Sequence, residues 1–484
     1  MVHHRLDNIL IIYPRSQTTL VQFGLHNDTF YVPELEIPTI IYKSTNDKGE
    51  SIYYPTEGPN RLPICPIENG MIINLEAFQE FLKYIYISLL KQKHDENADS
   101  FEYSFTNIPL LLLNNHKWSQ FQMESITNFV FEKLKLNGLM LLPISLGASY
   151  SMVSLQNCCI IDIGLNHTDI VPIVDYTTIN HLSNTLNYGG SYINTILQKL
   201  LPELNDQQIE DLKKSPIFEV LTEDEKNDSA FDFNNPITTS TKNKDDDDAD
   251  FDVASIINSG KDTREILAER EKKNQKKSLP NSQLEFNTFK DNNGNQIKIG
   301  KQRFQGCDEL IQKISTRVGH TINQLEDLSK QRAIWENIVI VGNTSLITGF
   351  KEALLNQLVI DHLVVEPADE KRQREKENFE KILASQNESN TSTSSTITNK
   401  KNNTKAYGAP FLPSLEYVHG PSVIKLAKYP EYFPEWKKHG YGDIVFLGGQ
   451  IVAKQIFTHS KDTFYTTKHK YERHGPSAIW NVEF

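Results

Sequence analysis

The chain has 484 residues, enough for two or three domain-sized units, and its 38% hydrophobic and 10% aromatic content fits a soluble globular protein. A formal net charge of −12 excludes a surface that is a nucleic-acid footprint throughout, while leaving room for a local basic patch. Four cysteines, with Cys158 and Cys159 adjacent, exclude a disulfide scaffold and a zinc spacing; they read as reduced, mostly buried and cytosolic or nuclear.

In chain order, Asn8 to Tyr13 (NILIIY) reads as a buried strand, Pro14 to Gln17 as a turn and Thr18 to Phe23 as a second strand. The run ends too soon at Pro14 to be a secretory signal. Asn74 is placed to cap a helix whose Leu75, Phe78, Phe81, Leu82, Ile85 and Leu89 form one stripe. Ile108 to Leu113 is a short apolar strand. Ser119 and Gln122 then form a capping box, and the helix they open is expected to stop at Gly138. Cys159 to Ile163 and Asp169 to Val174 form a second hairpin, and Gly190 leads into another helix. Strands and helices alternate, so the fold class is α/β. No window approaches the roughly 18–20 apolar residues that span a bilayer, so no membrane partner is expected. The fourteen histidines show no ligand spacing, and no metal site is expected.

Two segments break the pattern. Residues 227–280 turn acidic and then highly charged, with the run DDDDAD at Asp245 to Asp250. That run reads as a solvated loop, with contact to a basic partner as the sharper alternative. Residues 367–407 pass from a charged stretch into NESNTSTSSTITNKKNNTK, which has too few apolar residues to offset the entropy of ordering. Both read as polar insertions, because ordered motifs resume after each.

Asp162-Ile163-Gly164 closes an apolar strand and opens a tight turn. Such a turn can offer backbone N–H groups to an anion, and the Asp beside it can hold a hydrated cation. Alone, that signal is weak. The wider string IIDIGLNHTDIVPI, Ile160 to Ile173, resembles the second phosphate-binding hairpin of the actin family. ENIVIVGNTSLITGF (Glu336 to Phe350) is similar to that family's adenosine motif. IKIGKQRFQGCDEL (Ile297 to Leu310), LGGQIVA (Leu447 to Ala453) and KYERHGPSAIW (Lys470 to Trp480) resemble three more signatures in family order. The resemblance implies an actin-like, ribonuclease H-like fold with two lobes around a central cleft. Residues 1–150 would form the first lobe, completed by 421–484, and residues 151–420 the second.

The same resemblance places a degenerate nucleotide pocket at Ser16, Asp162, Gly164, Gly342 and Thr344. Actins carry an Asp, a Gly-Ser-Gly turn and a Lys in the first hairpin; here stand Tyr13 to Val21, with no glycine, Tyr13 at the Asp position and Pro14 lacking an N–H. Leu165 and Asn166 replace the second Asp and Gly of the second hairpin. Pro143 to Ser149 lacks the Gln that orients water, and Asn343 replaces a glycine of the adenosine motif. Phosphoryl transfer depends on positioning and charge neutralisation, so the expectation is a non-enzyme with no cofactor, ATP binding without turnover being left open. Arg15 is the one residue that could hold a phosphate there; a surface Arg is the plain alternative.

YPRSQTTLVQFGL, VPELEIPT, SLQNCCIID and KYPEYFPEWKK narrow the resemblance to fungal actin-related subunits of the SWI/SNF and RSC chromatin remodelling complexes. This implies a nuclear scaffold that pairs with an actin-related protein 7-like subunit, binds the HSA helix of the Snf2-type ATPase and contacts other remodeller subunits. Direct DNA binding is not expected. An actin-type ATP switch is the alternative. Actins bind partner helices in a cleft whose counterparts here are Ser149, Tyr150, Ser151, Met152, Ile451, Val452 and Phe457, read either as that cleft or as plain core. Tyr429 to Trp436 is either an exposed binding loop or a segment packed on the frame.

Overall fold

The computed structural model describes residues 4–26, 29–33, 35–46, 49–96, 107–222, 225–226, 231, 280–364, 376, 420–458 and 463–482. The insertions expected at 227–280 and 367–407, including Asp245 to Asp250, lie almost wholly outside them.

The chain opens with a hairpin, β1 (Leu10–Pro14) and β2 (Thr18–Phe23), followed by β3 (Leu35–Pro38). A small sheet of β4 (Ile41–Thr45), β5 (Ser51–Tyr54) and β6 (Leu62–Ile64) and the short pair β7 (Ile67–Glu68) and β8 (Met71–Ile72) lead to helix α1 (Leu75–Glu96). Asn74 caps α1 by accepting from the Ala77 N–H at 2.9 Å. Then come β9 (Pro109–Asn114), α2 (Gln120–Glu132), β10 (Gly138–Pro143) and α3 (Ile144–Ser151). Among the described residues the first sheet runs β18-β10-β9-β1-β2-β3, where β18 is Thr466–Thr467 near the C-terminus.

The second half repeats the device. Strands β11 (Cys158–Ile163) and β12 (Thr168–Val174) form a hairpin, flanked by β13 (Thr177–Thr178) and β14 (Asn184–Leu186). Helices α4 (Gly190–Leu200) and α5 (Asp206–Lys214), the pair β15 (Asn287–Lys290) and β16 (Gln296–Ile299), and helices α6 (Asp308–Asn323) and α7 (Leu328–Trp335) follow. Strand β17 (Ile338–Val341) pairs in parallel with β11, just as β9 pairs in parallel with β1. Helix α8 (Phe350–His362) closes this body. The C-terminal part adds α9 (Pro434–Lys438), α10 (Ile444–Thr458) and α11 (Lys468–His474). Each sheet carries its own apolar core, and a third core joins them.

That joining core holds α3 and α10. They cross so closely that a Cβ on Gly448 would lie 1.7 Å from the Gly147 carbonyl oxygen. The LGG motif therefore has a packing reason: only a bare backbone fits where two helix axes touch.

The expected capping box is present: Ser119 accepts from the Gln122 N–H, and Gln122 accepts from the Ser119 N–H at 3.0 Å. The helix stop is a correction. α2 ends at Glu132, the chain turns through Lys135 at φ 57°, and Gly138 begins a strand that the sequence reading did not assign. Leu134 and Leu136 are buried and prolong the helical periodicity past the real end. Of the Tyr429 to Trp436 segment, Trp436 is buried while Tyr432 is exposed, so it both packs and presents one ring.

Candidate interlobe site

The cleft lies between the turns of the two hairpins. In the first, the Arg15 N–H donates to the Thr18 carbonyl at 3.1 Å. Its guanidinium donates to Thr18 Oγ1 at 2.6 Å, Glu36 Oε1 at 2.8 Å and Asp443 Oδ1 at 2.5 Å. Asp443 directly precedes α10, so a helix of the core between the two sheets positions this carboxylate. Burial pushes the Asp443 carboxyl up, and the adjacent Arg15 works against that. Arg15 is thus committed to two carboxylates. The Ser16 hydroxyl accepts from the Gly70 N–H at 3.3 Å.

In the second hairpin the turn is tied from three sides. The Gly164 N–H donates to the His167 carbonyl at 2.9 Å. The Gly164 carbonyl accepts from the Gly190 N–H at 3.0 Å and from Thr344 Oγ1 at 2.9 Å. The Gly342 N–H donates to the Gly442 carbonyl at 3.0 Å. The structure therefore brings Asp162, Gly164, Gly342 and Thr344 together, and it gives Gly164, Gly342 and Thr344 backbone partners of their own. Asp162 is half-buried. Its carboxyl is pushed up to about 6, first by burial and then by the nearby Asp169 charge.

The centre of the cleft is Asp169, which the sequence reading missed. It is buried, with 3% exposure. Its oxygens meet Lys117 Nζ at 2.8 Å, Asn115 Nδ2 at 3.0 Å, Thr185 Oγ1 at 2.6 Å and His167 Nε2 at 3.4 Å. Lys117 also donates to the Asn69 carbonyl at 2.9 Å. Burial alone would raise the Asp169 carboxyl. The His167 hydrogen bond and the His167, Lys117 and His116 charges overcome it and hold it well below the usual range. Removing one partner of a buried pair of this kind costs about 3–5 kcal/mol. One sequence signal was available: a carboxylate inside the apolar strand TDIVPI needs a cation brought to it.

A second missed cation is Lys213 on α5. Its Nζ donates to the Gly190 carbonyl at 3.0 Å and pairs with Glu210 at 3.0 Å. Burial lowers its pKa. Arg15, Lys117 and Lys213 thus line the cleft, and each is already paired with protein oxygens. A magnesium nucleotide needs free cations for its phosphates and carboxylates for its metal. Here the cations are taken, and Leu165 stands at one acidic position. Among the described residues no group of three or more His, Cys, Asp and Glu is arranged to hold a metal ion. These residues do not fit that ligand.

The seven residues expected as a partner-helix cleft divide sharply. Ser149, Ser151, Met152, Val452 and Phe457 are buried in the joining core, so they pack the chain's own interior. Tyr150 and Ile451 are half-buried. Beside this region two turns carry strained backbone: Val153 at φ 64° and Tyr176 at φ 62°, both exposed. The Tyr176 N–H donates to the Gln156 carbonyl at 3.0 Å, linking the two turns.

Comparison with known proteins points one way. The Actin family model matches residues 30–385. The chain is 30% identical to the SWI/SNF and RSC complexes subunit arp9 of Schizosaccharomyces pombe over 453 residues, covering 86% of this chain and 78% of that protein. It is 22% identical to actin-related protein 7 of Arabidopsis thaliana over 350 residues, covering 70% of this chain and 81% of that one. A shorter match, 25% over 204 residues, is to actin-related protein 4 of Candida albicans and covers 38% of it.

Proposed function

This chain belongs to the actin family, and on that premise we propose that it is a non-catalytic subunit of a SWI/SNF- or RSC-type chromatin remodelling complex in the nucleus. In this reading it pairs with a second actin-related protein, of the actin-related protein 7 kind, and the pair grips the HSA helix of the remodeller's Snf2-type ATPase. Its two lobes are residues 1–150 with 421–484, and residues 151–420.

The observation that carries the non-catalytic part is the pairing of Arg15, Lys117 and Lys213 inside the protein. A cleft whose cations are neutralised by its own carboxylates has no free charge for a triphosphate. Similarity to the S. pombe subunit supports the remodeller assignment. In this reading the docking face for a partner helix lies at the rim, on Tyr150, Val153, Tyr176 and Ile451, because the deeper residues are core. Exposed residues held in sparsely populated backbone regions mark contact sites more often than chance.

Gel filtration of the chain with its actin-related partner and an HSA peptide tests the assembly. A stable ternary peak is expected, and three separate species would end the scaffold reading. Labelled ATP with Mg²⁺ tests the other half. Saturable binding with phosphate release would establish the alternative, an actin-type switch.

A further inference from the structure

Asp169 accepts from both lobes at once. Lys117 and Asn115 follow β9 of the first sheet, whereas His167 and Thr185 sit on the hairpin turn and β14 of the second. The first lobe also brings Gly70 to this point. Gly70 adopts φ 77°, its N–H donates to Ser16 Oγ and its carbonyl accepts from Trp118 Nε1 at 3.0 Å. A Cβ there would lie 2.7 Å from Asn115 Nδ2 and 3.5 Å from His167 Nε2. The strands, the loop after β9 and the Gly70 turn therefore converge on one buried carboxylate.

In a two-lobed protein with a cleft, closure requires something that holds both walls. Where a ligand does this, closure depends on ligand concentration. Here the bonds that span the gap belong to the chain. They also sit apart from the α3–α10 crossing in the core between the two sheets. We propose that Lys117, Asn115 and Asp169 form an interlobe latch that keeps the cleft closed without any bound ligand, and that the latch opens as a unit when Lys117 is removed. The geometry does not depend on which complex the chain joins, so the idea stands or falls apart from the assembly reading.

Hydrogen exchange on the isolated full chain tests it, using Lys117→Ala, Lys117→Arg and the exchanged pair Lys117→Asp with Asp169→Lys. In Lys117→Ala, exchange at residues 67–73 and 164–168 should accelerate at least about tenfold while β9 and β10 keep their rates, as for a local opening. Lys117→Arg should stay near wild type, and the exchanged pair should recover part of the loss. Small-angle scattering of Lys117→Ala should give a larger radius of gyration. Unchanged exchange in Lys117→Ala would overturn the latch. So would uniform acceleration across both sheets, which would make Lys117 a general stability residue instead.

Discussion

Asp162 and Asp169 lie opposite each other in the β11–β12 register, yet their environments push them in opposite directions. Burial and the Asp169 charge raise Asp162 to about 6, above the roughly 3.9 of an unfolded Asp. The folded chain therefore binds that proton more tightly than the unfolded chain. Its charged form costs stability above pH 6, and this cost disappears as pH falls from 6 to 4. Asp169 has the opposite sign. Its folded pKa is depressed, so its contribution is present above the unfolded pKa and lost as pH falls below about 4. Asp162→Asn should therefore raise the stability at pH 7.5 by about 2–3 kcal/mol, seen as a higher melting midpoint, with most of that gain gone at pH 4.5. A lower midpoint at pH 7.5, followed by circular dichroism, would refute this. The two residues also show what one chain of letters reveals. Asp162 was legible because it sits in a turn motif with Gly164. The partners of Asp169 were not, because Lys117 and Thr185 lie on separate elements and meet it only after folding.

At the scale of elements, starts were more legible than stops. The Asn74 cap and the Ser119–Gln122 box are local chemistry, and both are where the sequence put them. The end of α2 was misjudged because Leu134 and Leu136 fit a helical stripe but serve a turn that packs inward. The signature motifs also acquire mechanical reasons. Arg303, fully buried, donates to the carbonyls of Asn281, Leu284, Ile299 and Gly300 and to Asn281 Oδ1. It pins the segment that returns from the first insertion onto the second lobe. Arg303→Met should leave those carbonyls unsatisfied and cost about 3 kcal/mol or more, visible as a lower urea midpoint. Gly448→Ala should be equally severe. A methyl at 1.7 Å from the Gly147 oxygen forces α3 and α10 apart, and overpacking of this kind costs about 1–3 kcal/mol or more. A soluble, fully stable Gly448→Ala protein would show that the crossing is looser than described.

For the whole molecule, the family's two-lobed plan came through from five motifs, while the state of its cleft did not. Motif comparison found what was missing, at Tyr13, Leu165 and Asn166. It could not find the ion pairs of the cleft, because Lys117, Lys213 and Asp443 lie in no phosphate motif. These pairs give a prediction about the intact chain. A ligand at a hundredfold excess over its dissociation constant adds about 2.7 kcal/mol to folding stability. Millimolar Mg-ATP should leave the thermal midpoint of this protein unmoved, whereas a working site of ordinary affinity would shift it upward. Differential scanning fluorimetry separates the two.

The Arg15–Asp443 pair has a consequence for reversibility. Reinstating the lost letters, as Tyr13→Asp, Leu165→Asp and Asn166→Gly, would add two carboxylates to a cleft that already holds Asp162, Asp169 and Asp443. The added charges would repel those present, and Arg15 would still be occupied. The repaired triple variant should be less stable and still fail to bind Mg-ATP by calorimetry. Restoring a nucleotide site would therefore first require breaking the ion pairs that fill the cleft.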